Sequence, residues 1–177
     1  MTQALLIIDV QNDFLPPDGA LAVPDGEAVI APINELLASD RFGLMIATRD
    51  WHPPDHLSFK AQGGPWPEHC VQDTPGAQLD ARLNRDAIDA VIDTGMGSTE
   101  GYSAFETDEL RELLREEQVN AVTIVGLATD VCVKHTAADA LREALVVTIP
   151  SNAVRGIDAQ DSADAIAQLA AAGAEIR

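Results

Sequence analysis

Five short apolar runs, each stopping at a polar residue or a turn former, constrain this chain more than any other feature. Residues 5–8 stop at Asp9, 44–47 at Thr48-Arg49-Asp50, 90–92 at Asp93-Thr94, 121–125 at Gly126 and 145–149 at Pro150. Consecutive apolar residues over so short a length suit strands buried on both faces. Residues 174–176 add a candidate edge strand. Between the runs lie helical patterns: 27–39 with Val29, Ile33, Leu36 and Leu37 on one face, 107–118 with Leu110, Leu113 and Leu114, 130–144, and 158–172 with Ile166 and Leu169 before Gly173. The charged residues of the second pattern read as the solvated face of an amphipathic helix. Strands alternating with helices need right-handed crossovers and a sheet covered on both faces. The expectation is a three-layer α/β/α fold of Rossmann-like kind with a mainly parallel sheet of five or six strands.

At 177 residues the chain is the length of a single domain, read as 1–177. Its formal net charge of -18 repels phosphates and anionic membrane surfaces, so nucleic acid and membrane are not expected partners. No apolar stretch approaches the length of a membrane helix, and the start, Met1-Thr-Gln-Ala-Leu, lacks a basic leader segment. A cytoplasmic protein is expected, with its two cysteines, Cys70 and Cys132, as thiols.

In parallel sheets ligands bind beyond the carboxyl ends of the strands, which is where Asp9, Asp50, Thr94 and the turn from Gly126 to Cys132 fall. Cys132 lies in the first turn of the predicted 130–144 helix, whose positive end favours thiolate and whose amides suit an oxyanion. Two readings stand there, a nucleophile and a small buried hydrophobe. Cys70, beside His69 in a loop, reads as structural. Two long segments, 10–25 and 51–74, exceed a minimal connection, which marks functional loops. The second holds three of the four histidines: Asp50-Trp-His52, His56, and His69 in Trp66-Pro-Glu-His69. Asp with His suits one divalent transition metal, zinc, iron or manganese, although histidines in proline-rich loops also cap backbone groups. His135 falls on the same helix face as Cys132, as a dyad partner or a partly solvated side chain. Phe14, Trp66 and Tyr102 are scarce aromatics in loops near the site, each a core residue or part of a wall for a flat heteroaromatic ligand.

With these residues assembled, the chain resembles the nicotinamidases and pyrazinamidases of the isochorismatase-like cysteine hydrolases. The marks are Ala4-Leu-Leu-Ile-Ile-Asp9-Val-Gln-Asn-Asp-Phe14, Thr48-Arg-Asp50-Trp-His52 with Asp55-His56, Trp66-Pro-Glu-His69-Cys-Val, Gly101-Tyr-Ser-Ala-Phe105 and Val125-Gly-Leu-Ala-Thr-Asp130-Val-Cys132-Val. The resemblance implies Cys132 as nucleophile, Asp9 as general acid and base, and Asp50, His52 and His69 as metal ligands, with His56 a further candidate. It also implies a cis peptide at Leu127-Ala128, an oxyanion hole from the Ala128 and Cys132 amides, and a pyridine pocket of Phe14, Trp66 and Tyr102. The family's lysine at the end of the third strand, between acid and thiol, is replaced by Thr94 in Val91-Ile-Asp-Thr94-Gly95. Threonine supplies no positive charge.

The implied activity is hydrolysis of a small-molecule amide, nicotinamide or pyrazinamide, through a Cys132 thioester, with a place in NAD salvage. Two alternatives accompany it: a hydrolase of another small amide or ureido compound, and a ligand-binding relative whose turnover went with the lysine.

Overall fold

The computed structural model describes residues 2–177. Its sheet contains β1 (Thr2–Ile8), β2 (Leu44–Asp50), β3 (Ala90–Thr94), β4 (Val119–Leu127), β5 (Val146–Ile149), β6 (Val154–Arg155) and β7 (Glu175–Ile176). The helices are α1 (Ile30–Leu37), α2 (Asp108–Glu116), α3 (Lys134–Arg142) and α4 (Ala159–Ala171). Every strand pair is parallel, in the order β3-β2-β1-β4-β5-β7 with β6 beside β4. Seven strands stand where five or six were expected. The additional one, Val154–Arg155, is two residues long, too short to carry a periodic signal.

Side chains alternate across a strand, and β1 divides accordingly. Leu6 and Ile8 join Leu110 and Leu114 of α2 and Ala137 and Ala140 of α3 in one core layer. Leu5 and Ile7 join Ile30, Ile33 and Leu37 of α1 in the other. A 3-10 turn, Gly26–Val29, occupies the start of the predicted 27–39 helix and shortens α1. The solvated reading of the 107–118 pattern matches α2, where Leu110 and Leu114 are the buried residues.

The order places a topological switch between β1 and β4: the chain leaves β1 toward β2 and leaves β4 toward β5. A crevice opens at such a point beyond the carboxyl ends of the strands. Gly126 permits the close approach there. It has φ +110°, and a Cβ on it would lie 2.1 Å from the Ile8 carbonyl oxygen. Any other residue would push β4 away from β1 just where Asp9 begins.

Candidate active site

Asp9 leaves β1 in the left-handed region, φ +48°, a conformation that costs a non-glycine residue about 1 kcal/mol or more. Its partner is Thr48 on β2. The Thr48 hydroxyl donates to Asp9 Oδ1 at 2.7 Å, and the Asp9 amide donates to Thr48 Oγ1 at 3.3 Å. Alternation along β2 puts Asp50 on the same side as Thr48 and sends Arg49 to the opposite side, where it pairs with Asp93. Asp9, Asp50 and Cys132 are all buried, and one oxygen or sulfur atom from each lies within 4.8 Å of the other two.

Cys132 lies in a π-helical turn, Thr129–Val133, ahead of α3 rather than in the first turn of a longer α-helix. The expected preference for thiolate is reversed. Burial pushes the thiol well above its ordinary value, and the negative charges of Asp9 and Asp50 push it further. Asp9 is likewise raised well above the usual carboxylate range, first by burial and then by the charge of Asp50. Acid and thiol are therefore both held toward their protonated forms. The Leu127–Ala128 peptide is cis. The Ala128 carbonyl accepts from the amides of Val131 and Val133.

Asp50, His52 and His69 form a second buried group whose ligand-type atoms lie within 4.8 Å of one another. Asp50 Oδ2 is 3.3 Å from His52 Nε2 and 3.8 Å from His69 Nε2. The other ring nitrogens face backbone carbonyls, His52 Nδ1 that of Gly95 at 2.9 Å and His69 Nδ1 that of Pro67 at 2.7 Å. With Nδ1 donating in the neutral tautomer, each Nε2 keeps the lone pair with which histidine holds a metal. Burial lowers His69 and so favours its neutral form; at His52 burial acts the same way, but the hydrogen bond and charge of Asp50 prevail and raise it. Two imidazoles and a carboxylate make a donor set that fits a divalent transition ion.

His56 is placed differently. It stacks on His52 with ring centroids 4.0 Å apart, and its nitrogens are engaged by the Ser58 hydroxyl at 2.7 Å and the Thr99 carbonyl at 2.9 Å. Neither is free to join the ligand group. Phe59 fills the space behind the cluster, edge-on to His52 and inclined to His69.

Phe14, Trp66 and Tyr102 line one cavity together with His69, Ala128, Cys132 and the apolar side chains of Leu21, Val23, Val131 and Ile157. Its volume is about 30 Å³, room for a water or two. Trp66 Nε1 donates to the Tyr102 hydroxyl at 2.9 Å across that wall. His135 is exposed and stacks on Tyr102 with centroids 5.4 Å apart. Thr94 ends β3 opposite Asp50 and is buried, but its hydroxyl faces Asp50 Oδ1 at 3.3 Å and the Arg49 carbonyl at 3.4 Å. It bonds to neither Asp9 nor Cys132; the hydroxyl that meets the acid belongs to Thr48. Thr48 and Gln11 stand inside the sequence marks quoted above, yet nothing in their spacing showed what they bind. Cys70 is fully buried with φ +48°.

The Isochorismatase domain matches residues 3–177. This chain belongs to the isochorismatase family. Within it, the nicotinamidase of Escherichia coli strain K12 is 38% identical over 98% of this chain and 93% of its own length. Among solved structures, PnC1 from L. infantum in complex with nicotinate superposes with a TM-score of 0.96 at 38% identity, covering 99% of this chain and 92% of that one. The pyrazinamidase of Pyrococcus horikoshii in complex with zinc gives 0.93 at 41%, covering 100% and 99%. Both agree with the all-parallel isochorismatase-family sheet described above.

Proposed function

We propose that this isochorismatase-family protein is an amidohydrolase that converts nicotinamide, and pyrazinamide, to the carboxylic acid and ammonia. The observation that carries the reading is the convergence of Asp9, Asp50 and Cys132 beside an aromatic-walled cavity that Asp50, Cys132 and His69 line. The relatives named nicotinamidase and pyrazinamidase support the substrate class.

Asp50, His52 and His69 would hold one divalent ion, which would supply Lewis acidity beside the ring pocket. Phe14, Trp66 and Tyr102 clasp the ring and exclude water. Asp9 accepts the Cys132 proton as sulfur bonds to the carboxamide carbon, and the Ala128 and Cys132 amides receive the developing oxyanion. Asp9 then passes that proton to the departing nitrogen, the carbon–nitrogen bond breaks, and ammonia leaves a Cys132 thioester. In the second half Asp9 takes a proton from an attacking water, the carbon–sulfur bond breaks, and the proton returns to sulfur. One amide and one water give one acid and one ammonia. A raised Asp9 pKa makes its carboxylate the stronger base toward the Cys132 thiol.

The product places the chain in recovery of nicotinate for NAD. No helix among the described residues is long and apolar enough to cross a membrane, and the cytoplasm remains the proposed location, with residues 1–177 acting as one domain. Ammonia release from nicotinamide and pyrazinamide by zinc- or manganese-loaded protein tests the reading. Turnover of both is expected; turnover of ureido compounds alone assigns the second activity, and binding without release assigns a ligand-binding protein.

A further inference from the structure

Three consecutive side chains after Asp9 reach the backbone around every member of the Asp50-His52-His69 group, and the proposed reaction uses none of them. Gln11 is fully buried. Its Oε1 accepts from the Asp50 amide at 2.8 Å, and its Nε2 donates to the Asp50 and Ala77 carbonyls, each at 2.8 Å. Asn12 Nδ2 donates to the Pro75 carbonyl at 2.7 Å. Asp13 Oδ2 accepts the amide of Cys70, the residue after His69, at 2.7 Å. The Cys70 carbonyl in turn accepts the His52 amide at 2.9 Å. The Asp13 carboxyl rests in a cradle on Gly76, where an added Cβ would lie 2.2 Å from Oδ2.

We propose that Gln11 and Asp13 are positioning residues that hold Asp50, His52 and His69 in metal-binding register with one another and with Asp9. The inference rests on the metal reading above. The argument is one of satisfaction and strain. Asp50 is the last residue of β2, and Gln11 occupies both of its backbone hydrogen-bonding groups in the manner of an additional strand. Cys70 lies at φ +48°, an unfavourable conformation for a residue with a side chain, and the Asp13 carboxylate offsets that cost by taking its amide. Through Cys70 the constraint passes to both histidines, to His69 along the chain and to His52 through its amide. Because Asp9, Gln11 and Asp13 share one short segment, the acid and the ligand group are referenced to the same stretch of backbone. Partners behind metal ligands typically contribute about ten- to a hundredfold in metal affinity.

Zinc affinity of the full chain, measured by competition with a chromophoric chelator, tests this without relying on turnover. Gln11→Met keeps the shape and removes all three bonds; Asp13→Ala removes the carboxylate, and Asp13→Asn returns an acceptor oxygen. Gln3→Met is the control, since it removes a part-buried hydrogen bond between Gln3 and Thr123 at 2.8 Å that has no link to the ligand group. Gln11→Met and Asp13→Ala should each lower zinc affinity about ten- to a hundredfold, Asp13→Asn should restore most of it, and Gln3→Met should lower thermal stability while leaving affinity unchanged. Parental affinity in Gln11→Met and Asp13→Ala, or an equal loss in Gln3→Met, overturns the inference. If Gln11→Met does not fold, the Asp13 pair decides alone. A parent protein that binds no zinc overturns the metal reading itself.

Discussion

Thr94 turns its hydroxyl to Asp50, 3.3 Å from Oδ1, while Oδ2 of the same carboxylate faces His52 Nε2 at 3.3 Å. One aspartate thus joins the end of β3 to the two histidines of the proposed metal group, and its charge is among the causes that raise both Asp9 and Cys132. We propose that this neutral hydroxyl stands at the position where the resemblance implies a lysine.

Thr94→Lys tests what that exchange did. A cation beside Asp9 and Cys132 favours carboxylate and thiolate alike, so both pKa values should fall. The midpoint of Cys132 alkylation by iodoacetamide should move to lower pH and kcat/KM for nicotinamide should rise. An unmoved midpoint with no gain in rate would show that threonine is not the vacated lysine position.

The two cysteines should separate cleanly. Cys132→Ala is expected to fold, to bind metal and to lose turnover, whereas Cys70→Ala should keep turnover with a lower Tm, because Cys70 is fully buried and serves the backbone. Comparable rates in Cys132→Ala and the parent would rule out the thioester.

Metal removal should weaken pyridine binding far more than it destabilises the fold. The two core layers on either face of the sheet contain most of the buried apolar surface, and the ligand group lies beyond the strand ends. Titration with nicotinate before and after chelation, alongside thermal melts, checks this; about one ion per chain is expected, and none in His69→Ala.

Asp9 gives a pH signature of opposite sign for activity and stability. Its folded pKa is raised, so the native state binds more protons than the unfolded chain above about pH 4, and stability declines as pH rises through the folded value. Asp9→Asn should therefore abolish turnover yet raise the Tm of metal-free protein at pH 8 by a few °C, with no gain at pH 4. Thr48→Val removes a hydrogen bond that lowers the Asp9 pKa, so the acid limb of kcat/KM should shift to higher pH and the rate should fall about tenfold or more. An acid limb that stays in place would remove Thr48 from the positioning of Asp9.

The layers and most strands were legible because each buried strand is an uninterrupted apolar run ending at a polar residue, a pattern imposed by helices on both faces. Val154–Arg155 escaped because two residues carry no period. His52 and His69 stood out through the crowding of histidines in one segment, and that same crowding suggested His56, whose nitrogens the fold spends on Ser58 and Thr99. Composition does not encode tautomers or hydrogen-bond partners. Thr48 and Gln11 were unreadable for a related reason: they act on the Asp9 carboxyl and the Asp50 backbone, groups that only the sheet brings near them. A helix dipole favours thiolate at Cys132, but burial of the sulfur and the two carboxylates beside it outweigh that preference.

β1 pairs with β4 as well as with β2, and the late synthesis of β4 has a consequence for how the molecule is made. Asp9, Asp50, His52 and His69 leave the ribosome long before Cys132, and β1 has one unsatisfied edge throughout that interval. A nascent chain that has completed β3 holds every proposed metal ligand but not Cys132, with an apolar strand open to pairing with neighbours. The step that brings β4 alongside therefore shields that edge and delivers the sulfur to the acid in the same movement.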